Sequence, residues 1–163
     1  MKRKKRILSI LLCMVMILTV LPVYANSVVQ ISDASQLPTE IPAGTTYELI
    51  ADITLANGQQ ISNLSGVLDG KGHIITLADR PLANNVSGTI QNVGLTGTIS
   101  DSGIFGSMAV SLSGIIQNSY SQVNLSSNGW DDVGGLVGTL SGGSIYNSYY
   151  AGSNSAMFAP YKQ

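Results

Sequence analysis

Asp69, Lys71 and His73 alternate along one short segment. Together they supply a carboxylate, a cation and an imidazole, the groups needed for proton transfer with charge stabilisation. The intervening Gly70 and Gly72 favour a plainer reading, a polar turn with the glycines at φ > 0 positions. His73 is the only histidine, which leaves no His-rich metal site and no HExxH zinc motif. A second cluster, Trp130-Asp131-Asp132, sets two carboxylates beside an indole. Such a set could hold Ca²⁺ or stack on a sugar ring. Adjacent strand residues point to opposite faces, so the two aspartates converge only in a loop. Asp101 reads as the equivalent of Asp132 one repeat earlier, which makes that Asp a turn former. Trp130, Asp131 and Asp132 are therefore the candidate ligand-binding residues, and no catalytic residue, metal or cofactor is expected. Nine acidic residues could supply a glycosidase pair only if the fold set two of them across a cleft. The stretch Gly134–Gly143 lacks the Gly-Lys-[Ser/Thr] of a phosphate loop, and no serine sits in a Gly-x-Ser-x-Gly elbow.

The elements that must position these groups announce themselves as repeats. Gly88-Thr89-Ile90-Gln91-Asn92, Gly114-Ile115-Ile116-Gln117-Asn118 and Gly143-Ser144-Ile145-Tyr146-Asn147 align without gaps, and Gly66-Val67-Leu68-Asp69-Gly70 is a divergent fourth copy. Upstream of the last two copies, Gly103-Ile104-Phe105-Gly106-Ser107-Met108 matches Gly135-Leu136-Val137-Gly138-Thr139-Leu140. On that match the length variation falls between Gly106 and Gly114, and between Gly138 and Gly143, in a turn that tolerates insertion. Each unit holds several short strands and no helix long enough to cross over, so it can bury its apolar face only by stacking on a neighbour. The expected fold is an all-β parallel β-helix. Ile90, Ile116 and Ile145 would form an interior ladder, and Asn92, Asn118 and Asn147 an amide ladder at an αL corner, with Tyr120 stacked over Tyr149. A β-sandwich of hairpins is the alternative that short strands also permit. Tyr47–Leu55 alternates as one half-buried strand, and Ile61–Leu68 and His73–Leu77 read as two more. Residues 26–45 read as a leading or capping segment, with Ser32 or Asp33 as the N-cap of a short helix that Pro38 and Pro42 stop. The repeats span 46–152, and 153–163 is a C-terminal tail.

Residues 1–25 read as a secretory signal peptide: a basic start (Lys2–Arg6), an apolar run from Ile7 to Leu21, then Pro22 and a Val23-Tyr24-Ala25 cleavage site before Asn26. Cys13 follows bulky Leu11 and Leu12 inside the apolar run, which is no lipobox. After cleavage Lys71, Arg80 and Lys162 stand against nine acidic residues, three against nine, a formal charge of −6. That balance argues against nucleic acid or an anionic membrane as partner. The exported chain would contain no cysteine and rely on packing and backbone hydrogen bonds alone.

Gly134-Gly135-Leu136-Val137-Gly138, with Gly143-Ser144-Ile145-Tyr146-Asn147-Ser148-Tyr149 and Gly152, resembles a GLUG motif. Such motifs occur in large bacterial surface proteins, among them adhesin-like proteins and the non-catalytic N-terminal regions of some immunoglobulin-A-cleaving metalloproteases. The likeness is close over 133–152 and looser over 46–125. It implies a right-handed parallel β-helix at the cell surface or secreted, and it brings no catalytic residues with it. The expected function is a non-enzymatic β-helical module for adhesion, binding or scaffolding, with glycans or host and matrix proteins as partners and end-to-end self-association at any uncapped coil. A carbohydrate-active β-helix enzyme, of polysaccharide lyase or glycosidase type, is the alternative by fold analogy. A third reading makes the chain the N-terminal fragment of a longer surface protein.

Overall fold

The computed structural model describes residues 27–127 and 132–156. The expected signal peptide (1–25), Asn26, residues 128–131 with Trp130 and Asp131, and residues 157–163 lie outside the described residues. The described chain is built from short parallel strands joined by tight corners and wound into a β-solenoid, and the only helix among the described residues is the 3₁₀ turn Ala34–Gln36. No helix among the described residues is long and apolar enough to cross a membrane.

The first face stacks six strands in parallel: Ser27–Ile31, Thr45–Leu49, Val67–Asp69, Thr89–Gln91, Ile115–Gln117 and Ser144–Tyr146. A second face begins with Ile53–Thr54, Ile74–Leu77 and the long strand Gly94–Asp101. The first half of that long strand pairs with Tyr120–Ser121 and the second half with Asn124–Ser127, so the face divides as the coils continue. The third face holds Glu40–Ile41, Ile61–Leu64, Ala83–Val86, Ala109–Leu112 and Val137–Leu140. All these pairs are parallel, which excludes the sandwich of hairpins.

The register sets like over like. Leu68 pairs with Ile90, Ile90 with Ile116 and Ile116 with Ile145, and the first three are fully buried. Ile145 occupies the ladder position but is 37% exposed, because no described residue stacks above it. Asn92, Asn118 and Asn147 all adopt left-handed backbone (φ 52°, 50° and 46°), the conformation that a short polar side chain tolerates best. The glycines leading the repeated phrase have a steric role: a Cβ at Gly88 would strike the Gly66 carbonyl, and one at Gly114 the Gly88 carbonyl. Asp33 is the N-cap of the 3₁₀ turn and forms a capping box with Gln36.

Four details differ from the sequence expectation. Tyr47–Leu55 is two strands, Thr45–Leu49 and Ile53–Thr54, with a corner at Ile50–Ala51, and Ile61–Leu68 is likewise broken at Ser65–Gly66. Leu49, Ile53 and Leu55 nonetheless all face the core, since the alternation carries through the bend. The upstream glycine phrase takes another register: Gly106 pairs with Gly134, not Gly138, and Ala109 pairs with Val137. Gly106 and Gly134 share a clearance demand, as a Cβ on either would strike the Val137 backbone. The turn then varies by one residue, Gly142, which sits at φ 90°. With this register Asp101 pairs with Ser127, so it is not the counterpart of Asp132.

The ladder makes interior and terminal isoleucines energetically unequal. Ile116→Ala should cost about 2–5 kcal/mol, the range for emptying a packed aliphatic site. Ile145→Ala should cost about 1 kcal/mol, because much of that side chain is already in water. Urea unfolding of the two variants measures the difference; equal losses would contradict the stacking order.

Candidate binding groove at the asparagine corner

The residues singled out for chemistry separate in space. Asp69 and Lys71 come together, with Lys71 Nζ 3.3 Å from the Asp69 carboxylate and 2.8 Å from that of Glu48. His73 turns elsewhere, its Nδ1 3.0 Å from Asp52 Oδ1, which also accepts from the Ile74 backbone N–H. Those two contacts, the backbone one first, hold the exposed Asp52 carboxyl below its ordinary value. Asp132 is exposed, and its backbone carbonyl accepts from Phe105 N–H; its neighbours Trp130 and Asp131 are not among the described residues. No group of three or more His, Cys, Asp or Glu among the described residues is placed to hold a metal ion.

Asp69 is instead the terminus of a glutamine ladder and an acceptor for Asn92. Gln117 Nε2 donates to Gln91 Oε1 (2.8 Å), and Gln91 Nε2 donates to Asp69 Oδ2 (2.9 Å). Asn92 Nδ2 and the Lys71 backbone N–H both reach Asp69 Oδ1. Burial raises the proton affinity of this carboxyl, but the donors Asn92, Lys71 N–H, Gln91 and Lys71 Nζ outweigh it and keep the group below its ordinary value. Parallel register also puts Glu48 directly beside Asp69. Two like charges at adjacent rungs repel, and Lys71 bridges them. Those carboxylates, Glu48 first, raise the Lys71 pKa.

Lys71 reaches that position because its corner is longer than those above it. Asp69 pairs with Gln91 and Ile74 with Gly94, so four residues span the lower corner and two the next. The extra pair, Lys71 and Gly72, takes left-handed backbone (φ 51° and 89°), and His73 N–H closes the turn on the Gly70 carbonyl. Gly70, expected at φ > 0, is not; it is glycine because a Cβ there would lie 2.5 Å from the Asn92 carbonyl.

The overhanging turn forms one wall of a groove of about 440 Å³ lined by Lys71, Gly72, Asn92, Val93, Gly94, Asn118 and Tyr120. Gly94 is the gap in the row Ile74–Gly94–Tyr120–Tyr149. A Cβ at Gly94 would lie 2.6 Å from the Tyr120 ring and hydroxyl, so the missing side chain makes room for that phenol. Tyr120 and Tyr149 stack at 5.7 Å and 13°, as the repeat predicts. The asparagine ladder is interrupted here. Asn147 Nδ2 donates to Asn118 Oδ1 and Asn92 Nδ2 to Asp69, while Asn118 Nδ2, Asn92 Oδ1 and the Tyr120 hydroxyl have no protein partner among the described residues. A donor, an acceptor and a group that is both thus line one groove. Sequence reasoning placed Asn92, Asn118 and Tyr120 as ladder residues and missed the groove. It also missed Gln91 and Gln117, although Gln precedes Asn in two copies of the phrase.

Comparison of the chain with protein-family models, with curated proteins and with solved structures returned no match.

The lowered Asp69 pKa fixes the sign of a pH effect. Its contribution to stability is present above the unfolded-state value of about 4 and is lost as pH falls through the lower folded-state value. Unfolding free energy should therefore fall below about pH 4 with a slope that Asp69→Asn reduces, Asp33 and Asp52 supplying the remainder. At neutral pH Asp69→Ala should cost about 1–3 kcal/mol, because the Gln91 and Asn92 amides lose their acceptor. Urea titrations from pH 7 to 2.5 check both; an unchanged acid slope in Asp69→Asn would refute the assignment.

Proposed function

We propose that this chain is a secreted, non-catalytic β-helical surface module that binds neutral glycans at the asparagine corner. The observation that carries the reading is the break in the ladder. Among the described residues Asn92 Oδ1, Asn118 Nδ2 and the Tyr120 hydroxyl have no partner along one groove, a set that matches adjacent hydroxyls of a sugar. Lys71 adds no surplus charge, because Glu48 and Asp69 neutralise it. That favours an uncharged ligand over an acidic one. Among the described residues no carboxylate lines the groove, whereas glycoside hydrolysis uses two carboxyl groups flanking the scissile bond. The basic start and apolar run of residues 1–25 support export, and the likeness of 133–152 to GLUG motifs of bacterial surface proteins supports adhesion or scaffolding as the setting.

The exported protein should begin at Asn26, which N-terminal sequencing of the secreted product reads directly. An array of neutral oligosaccharides, followed by calorimetry on the best binder, tests the ligand class. Tyr120→Phe should weaken that binder about tenfold, the worth of one hydrogen bond, without changing the unfolding midpoint. Gly94→Ala, which displaces the Tyr120 ring, should weaken it at least as much. Absence of binding to every neutral glycan, or preferred binding of acidic glycans dependent on Lys71, would overturn the reading.

A further inference from the structure

The corner that follows the strand Ile53–Thr54 reads Ala56-Asn57-Gly58-Gln59. Gln59 N–H closes it on the Ala56 carbonyl (3.0 Å), and Gly58 takes the third position at φ 76°, where a turn of this kind favours glycine. Two clamps fix the corner to its surroundings. Gln59 Nε2 donates to the Ala34 carbonyl of the 3₁₀ turn. The Gly58 N–H donates to Asp79 Oδ1 (2.8 Å), a carboxylate on the corner of the next coil.

Asn57 stands apart from the other asparagines. Among the described residues it is the only one followed by glycine. It is exposed and its side-chain amide has no partner among them, whereas the amides of Asn63, Asn85, Asn92 and Asn147 donate to neighbouring coils. Gly58 has no side chain to shield its nitrogen, and the space around its Cα is open. An asparagine carboxamide and the next backbone nitrogen can close a five-membered ring. The Gly58 nitrogen gives up its proton and attacks Asn57 Cγ; the Cγ–Nδ2 bond breaks and ammonia leaves. Water then opens the imide at either carbonyl, giving aspartate or isoaspartate, with no oxidation or reduction. The demanding step is loss of the N–H proton. Asp79 opposes it twice: its hydrogen bond holds that proton, and its charge disfavours an amide anion beside it.

We propose that Asn57 is a site of spontaneous self-modification to aspartate and isoaspartate through the Gly58 nitrogen, and that Asp79 sets its rate by holding the Gly58 N–H. The reaction proceeds from local openings of the corner, and its product keeps the corner open. A carboxylate formed at position 57 arises beside that of Asp79 and repels it. An isoaspartate also adds a methylene to the backbone between Ala56 and Gln59. The corner is thus a one-way latch between two coils.

Peptide mapping by mass spectrometry during incubation of the full chain at mildly alkaline pH reads the conversion, and isoaspartyl methyltransferase labels the isoaspartate fraction. Asn57 should convert, and Asp79→Ala should speed it about tenfold, the worth of a weak hydrogen bond to a charged group. Asn128-Gly129, the other Asn-Gly pair, lies outside the described residues and is the internal control: its rate should not change between the two proteins. Asp79→Asn keeps an acceptor without the charge and should give an intermediate rate at Asn57. Asn57→Gln, whose longer side chain cannot close the five-membered ring, should abolish the product. Asn57→Asp mimics it and should remove hydrogen-exchange protection from the Gly58 amide. Asn57 left intact in both the parent and Asp79→Ala would overturn the site. Equal rates at Asn57 in the two would overturn the role of Asp79, as would a slower rate in Asp79→Ala, which would make the carboxylate the base. Equal acceleration at Asn57 and Asn128 would also overturn that role, by tracing it to general loosening of the chain.

Discussion

No coil of this chain can satisfy its own backbone. Each N–H and C=O of a strand finds its partner in the coil above or below, so every segment depends on neighbours held at the spacing of parallel strands, about 4.8 Å. That spacing is shorter than the reach of most side chains. Whatever occupies a position in one coil is therefore in contact with whatever occupies it in the next. Composition at each position follows from what can touch its own kind. Branched aliphatics can, and Leu68, Ile90 and Ile116 fill the interior. Amides can, because each has both a donor and an acceptor, and the Gln91–Gln117 and Asn118–Asn147 pairs exploit it. Hydroxyls can, as Ser65–Ser87 and Thr76–Thr96 do. Carboxylates cannot, and the one direct carboxylate pairing on the first face, Glu48 beside Asp69, survives through Lys71.

Asp69 also shows why an amide ladder ends in a carboxylate. A run of stacked amides donates in one direction, and its last donor needs an acceptor that asks for nothing in return. An ionised carboxylate is such a group. It receives two side-chain amides and a backbone N–H, and these hold it ionised despite burial. The ladder, the lengthened Lys71-Gly72 corner and the Glu48 bridge are one electrostatic unit. It stands where the divergent coil meets the regular ones.

How much of this was legible beforehand follows from the same spacing rule. The phrase Gly-x-Ile-x-Asn recurs because each of its residues touches its copy, so alignment alone recovered the interior ladder, the αL corner and the Tyr120–Tyr149 stack. The Gly-x-x-Gly half was misread. Glycines at 134, 135 and 138 offer several matches to Gly106, and the true partner is decided by clearance against Val137, which no pattern displays. Strand boundaries were missed at Ile50 and Ser65 because a solenoid corner is stabilised by the coils on either side and needs no Gly-Pro turn of its own. The groove was invisible for a related reason. It is built from an absence, the missing side chain of Gly94, and from a two-residue difference in corner length between adjacent coils.

Repetition itself argues for where binding should lie. A perfect solenoid presents the same surface at every coil, with each polar group satisfied by its copy, and has little reason to prefer one ligand position over another. Specificity needs an interruption. In this chain the amide ladder fails to close at the corner between Asn92 and Asn118, and no described residue stacks on the last coil. The first leaves small polar groups unpaired within a groove of about 440 Å³, a scale suited to a small polar ligand. The second leaves a row of strand edges and exposes Leu140, Ile145, Tyr146 and Tyr149. The two differ in chemistry because one is a break in the side-chain ladder and the other a run of backbone edges.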